Sequence, residues 1–134
     1  METDPATFLA GVATQCAELV ESQYGRRLDF GVESLVVLDA VCGELLEDGA
    51  LEGPRLDLWW KLVGAYTGEV LVRVYGGTWV EHENAPGAFA VSVRGNTAFP
   101  FGVAGKVLTG EPYKSLSAFV RALPAVVAQG ERND

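Results

Sequence analysis

Apolar residues near the start of the chain recur at helical spacing. Phe8, Leu9, Val12, Ala13, Cys16, Leu19, Val20 and Tyr24 share one face, and Thr14, Glu18, Glu21 and Ser22 the other, which predicts a helix over 5–24. Asp4 suits its N-cap, Pro5 its first turn and Gly25 its stop. A second stripe of Leu35, Leu38, Val41, Cys42, Leu45 and Leu46 predicts a helix over 32–47, with Glu33, Glu44, Glu47 and Asp48 on its solvated face. Val36 and Val37 point away from this stripe, so they are either covered by another element or exposed.

Residues 50–55 read as a loop punctuated by Gly53-Pro54. A third helix is expected over 57–75. Trp59, Trp60, Leu62, Val63, Tyr66, Val70, Leu71 and Val74 make it apolar nearly all round, as a central buried helix would be. Gly64 and Gly68 lie on one side of it and cost roughly 1 kcal/mol each relative to Ala, so they are expected to admit another backbone.

After Gly76-Gly77 the period shortens to two. Strands are expected over 78–83, 88–94 and 97–99, with Phe89, Val91 and Val93 facing inward and Gly95-Asn96 forming a hairpin turn. A short helix over 103–108 follows. A last helix is capped by Ser115 and carries Leu116, Phe119, Val120 and Leu123, with Pro124 expected to kink or restart it. The polar segment 130–134 is expected to fray. The fold class is therefore α+β: a helical N-terminal half packed on a small antiparallel sheet of about three strands, then a C-terminal helix, in one domain over 1–129.

Charge narrows the partners. Eighteen acidic and ten basic residues give a net charge of −8. Nucleic acids and anionic membranes are disfavoured by that sign, and a basic protein is favoured. Between Asp29 and Asp57 stand eight carboxylates and one base, Arg55, so this stretch carries most of the excess. It reads as a solvated face or, more sharply, as a docking surface using Glu33, Glu44, Glu47 and Asp48. Met1-Glu2-Thr3-Asp4-Pro5 is unlike a secretory signal, and no apolar run reaches the ~18 residues of a membrane span, so a cytoplasmic location is expected. The lack of Ile and scarcity of Lys resemble proteins of high-GC bacteria.

Gly64-Ala65-Tyr66-Thr67-Gly68-Glu69, followed by Gly76-Gly77-Thr78-Trp79-Val80, resembles an uncharacterised bacterial family classed as a domain of unknown function. Phe99-Pro100-Phe101, Lys106-Val107-Leu108 and Ser115 to Phe119 continue the likeness, which spans 57–122. The resemblance implies the α+β fold and no catalytic or cofactor residue.

The candidate chemistry is sparse. Glu69, on the apolar third helix, is expected to pair with Arg73 one turn on; its functional alternative is a general acid or base. His82 lies between Glu81 and Glu83, but neighbours on a strand face opposite ways and a zinc site needs more ligands, so a surface histidine is expected. Cys16 and Cys42 read as small core hydrophobes. Neither a cofactor nor a metal is expected. Trp59, Trp60, Tyr66, Glu69 and Trp79 form a possible pocket between the third helix and the sheet, unless the aromatics are simply core. Three functions follow: an adaptor docking through the acidic helix, a small-molecule-binding domain with an aromatic pocket, or an enzyme using Glu69 or His82.

Overall fold

A computed structural model describes residues 4–49, 51–81 and 88–133. Five helices and three strands follow in the order α1 (Pro5–Tyr24), α2 (Ser34–Glu47), α3 (Gly53–Tyr75), β1 (Thr78–Glu81), β2 (Phe89–Val93), β3 (Asn96–Ala98), α4 (Pro100–Leu108) and α5 (Leu116–Asn133). The chain is α+β, with a helical N-terminal half, a three-stranded antiparallel sheet and a C-terminal helix.

Helix α1 has its expected bounds, and Gly25 closes it at φ 65° by donating its N–H to Glu21 O. Helix α2 starts two residues later than its stripe suggested, because residues 32 and 33 are in a turn. Val36 on it is exposed, and Val37 packs partly against the core. Helix α3 starts earlier than expected, at Gly53. Gly53-Pro54 therefore opens the helix instead of marking a loop: proline at the first turn gives up an N–H that has no helical partner there. The same rule moves the start of α4 forward to Pro100.

Helix α3 is the central element, packing against α1, α4 and the sheet. Val63, Ala65, Tyr66, Val70 and Leu71 on it are fully buried. The strands run in the order β1-β2-β3, with Trp79 opposite Val91 and Val93 opposite Asn96. That last pair shifts the hairpin turn by one residue from the expected Gly95-Asn96 to Arg94-Gly95. Both turn residues have positive φ, 49° and 82°, the twist that two-residue hairpins favour. The remainder of the expected first strand, and His82, lie outside the described residues.

Helix α5 runs through Pro124 without restarting and stays helical to Asn133, so most of the expected tail from 130 is helix. Its start is held by a long-range contact. Asp39 of α2 accepts from the Leu116 N–H (2.7 Å), the Ser117 N–H (3.1 Å) and the hydroxyls of Ser115 and Ser117 (both 2.9 Å). Ser115 also accepts from the Ala118 N–H, as an N-cap does.

Two helix glycines have no packing role. A Cβ at Gly11 or Gly43 would meet nothing within 4 Å, and neither residue has positive φ. Gly11→Ala and Gly43→Ala are each expected to stabilise the fold by about 0.5–1 kcal/mol, additively, as read from urea midpoints.

Candidate functional site: an aromatic pocket on α3

The two glycines expected to admit a backbone admit aromatic rings instead. The Phe101 ring of α4 sits over Gly64, and the Trp79 ring of β1 sits over Gly68. Trp79 is fixed by donating its indole N–H to Glu69 Oε2 at 3.1 Å. Phe101 lies 6.1 Å from the Trp79 ring and 5.1 Å from that of Trp60. Trp60 donates its indole N–H to Phe101 O at 2.9 Å, which ties α3 to the first turn of α4. The three rings form a continuous tilted series across one side of α3.

Outside that series lies a pocket of about 570 Å³. Phe8, Leu9 and Val12 of α1 form one wall, Trp60 and Phe101 the floor, and Phe89 and Phe99 the far side. Among the described residues Lys61 is the only charged side chain in its lining. Phe8 is 59% exposed and Phe99 50%, so the lining presents large apolar surface to solvent. A second groove of about 540 Å³ adjoins the first across Phe99 and Gly102, and includes Phe119, Val126, Lys106 and Lys114.

The expected pocket set does not gather here. Trp59 is 4% exposed and meets Tyr24 edge-on, while its neighbour Trp60, 38% exposed, faces the pocket. Adjacent residues on a helix point about 100° apart, and α1 covers only one of those directions. Tyr66 is fully buried on another side. Its hydroxyl accepts from the Phe30 N–H at 2.9 Å and lies 2.6 Å from Ser34 Oγ. Ser34 in turn donates to Gly31 O, so Tyr66 is the donor to Ser34 and the chain of bonds is complete. This clasp holds Phe30 at φ 65°. Glu69 is 6% exposed and is engaged by Arg73 at 3.2 Å and by Trp79; it lines neither of these two grooves. It therefore acts as an anchor for Trp79, and Arg73 continues the network by lying 3.8 Å over the Phe30 ring.

The acidic candidates are also divided. Glu33 pairs with Arg121 at 2.9 Å and Glu44 with Arg26, while Glu47 and Asp48 are exposed with no ion pair among the described residues. Phe8, Lys61, Phe89, Phe99 and Phe101 were not read from the sequence as pocket residues. A signal for two of them was present in Phe99-Pro100-Phe101, where a proline that starts a helix places an aromatic on either side of the start.

Burial pushes the Cys42 thiol up to about 12 and raises Cys16 further, with the nearby Cys42 adding to the effect. Both are free thiols in the core, far from the ionised form that reacts. A raised thiol pKa favours the fold while both states are protonated. Above pH 9, the unfolded thiols ionise and the folded ones do not, so stability should fall with rising pH, by on the order of 1 kcal/mol per pH unit per thiol. Urea unfolding between pH 8 and 11 should show this fall, with a shallower slope in a Cys16→Ala/Cys42→Ala variant.

Among the described residues, no three of His, Cys, Asp and Glu gather as metal ligands, and no helix is long and apolar enough to cross a membrane. No protein-family model, curated protein or solved structure matches the chain.

Proposed function

We propose that the chain is a binding module that takes an apolar ligand in the pocket formed by Phe8, Trp60, Phe89, Phe99 and Phe101. The observation that carries this is the exposure of three large apolar side chains around the pocket, Phe8, Trp60 and Phe99, backed by a rigid aromatic series. Its volume lies within the ~300–1,000 Å³ of small-molecule sites, which are likewise mostly apolar with few polar groups. Among the described residues the lining is apolar apart from Lys61, the composition of a binding site.

Gly102 provides the test. It lines the pocket, and a Cβ there would meet only Phe99 Cβ at 3.7 Å, an ordinary contact. Gly102→Leu should therefore fold at least as stably as the wild type while filling the pocket. The neutral dye Nile red should bind the wild type with quenching of Trp60, the one tryptophan not buried, and should bind Gly102→Leu at least tenfold more weakly. Equal binding by the two proteins would remove the pocket as the site.

One observation favours a second reading, an adaptor that docks a basic protein on α2. Glu47 and Asp48 sit at the C-terminal end of α2, where the helix dipole disfavours anions by about 0.3–1 kcal/mol each. A basic partner would offset that cost. The pairing of Glu33 and Glu44 with arginines leaves this surface less charged than the sequence suggests. Reversing Glu47 and Asp48 without loss of a captured basic protein would dismiss it.

A further inference from the structure

The distribution of lysines gives the ligand a chemistry. The chain has three lysines, Lys61, Lys106 and Lys114, and all three line the two adjoining apolar grooves. No carboxylate among the described residues contributes to either lining. None of the lysines makes an ion pair among the described residues. In a chain of net charge −8, this face is the local exception.

We infer that the ligand is a free single-chain anionic amphiphile, such as a long-chain carboxylate. Its alkyl chain would lie against Phe8, Trp60, Phe99 and Phe101, and its anionic head would meet Lys61. This deepens the binding reading above and rests on it. The aromatic lining removes the chain from water, and Lys61 at the rim is long enough to follow the head while keeping its own ammonium solvated. The positive end of the α4 dipole, at Phe101 and Gly102, adds to the attraction for the head in the same place. The two grooves share Phe99 and Gly102, which gives a chain longer than the first pocket a path towards Phe119 and Val126. An anionic bilayer fits less well, because the whole molecule is repelled from it.

The test compares ligands of equal length and different head. Dodecanoate, 1-dodecanol and dodecylamine, each below its micelle concentration, are titrated by Trp60 fluorescence at pH 8 and ~0.15 M salt. Dodecanoate should bind at least tenfold more tightly than the other two, and decanoate roughly tenfold more weakly than dodecanoate, from the loss of two methylenes. Lys61→Gln, an exposed change that leaves the melting temperature in place, should abolish the preference for carboxylate while keeping dodecanol binding. Dodecanol binding as tightly as dodecanoate would overturn the anionic head and leave the pocket reading intact. No binding of any chain would overturn the pocket reading itself. Co-sedimentation with anionic phospholipid vesicles, without binding of free dodecanoate, would overturn the inference in favour of a membrane surface.

Discussion

Gly68→Ala is expected to destabilise the fold by about 2–3 kcal/mol, the opposite of what alanine does at an ordinary helix position. Alanine should gain up to ~1 kcal/mol in helix propensity over glycine. Here its Cβ would lie 2.5 Å from Trp79 Cζ2 and closer still to Cη2. The ring has nowhere to go: its indole N–H is bonded to Glu69, and its backbone is paired with Val91 in the sheet. Forcing atoms into a filled core costs about 1–3 kcal/mol, sometimes more, and outweighs the propensity gain. Gly64→Ala is a graded comparison. Its Cβ would lie 2.6 Å from Phe101 Cε1, but Phe101 is half-buried on short α4 and yields outward more easily. That variant should lose less stability and more ligand binding, as the displaced ring moves into the pocket. Guanidinium unfolding of Gly11→Ala, Gly64→Ala and Gly68→Ala should rank them in that order, most stable first. A Gly68→Ala variant at least as stable as wild type would show that Trp79 does not occupy this seat.

Asp39→Ala should cost about 3 kcal/mol and release the start of α5. The carboxylate accepts two backbone N–H groups and two hydroxyls, and buried Leu116 sits between them. Hydrogen bonds to a charged group contribute about 1.5–3 kcal/mol each when cut singly, but they share one acceptor group and do not add. A negative charge at a helix N-terminus contributes a further ~0.3–1 kcal/mol. Asp39→Asn preserves the shape but has one acceptor oxygen instead of two and turns an amide donor towards donors. It should lose about half as much as Asp39→Ala. Thermal unfolding gives the ranking, and limited proteolysis should cut α5 first in the alanine variant. An Asp39→Asn protein as stable as wild type would show that the charge and the second oxygen contribute nothing.

The positions that were legible in the sequence are those fixed by neighbours in sequence. Gly25 and Gly76 end α1 and α3 with positive φ, which local sterics demand of a residue that turns out of a helix there. The alternation of Phe89, Val91 and Val93 places them on one face, and Glu69 pairs with Arg73 because one helical turn separates them. Prolines misled the reading at two points. Pro54 and Pro100 stand inside helix starts, where a proline is equally at home, and only the apolar contacts of the following turn reveal which way it acts. The hairpin slipped by one residue for a related reason: Gly95 is in the turn either way, and the pairing of Val93 with Asn96 chooses Arg94 as its companion.

The sequence alone determined the α+β class, the central place of α3 and the burial of the two cysteines, because each follows from periodicity and from the cost of exposing apolar surface. It could not assign the aromatics. Trp59 and Trp60 are chemically identical neighbours, and α1 buries one and leaves the other at the pocket. Nor could it show how much of the acidic helix is available. Glu33 meets Arg121, Glu44 meets Arg26 and Asp39 meets the start of α5, all across distances in sequence that no local pattern encodes. The pocket itself belongs wholly to the tertiary structure. Phe8, Lys61, Phe89 and Phe99 come from four separate stretches of chain, and it is the docking of α1, α4 and the sheet on α3 that brings them to one place.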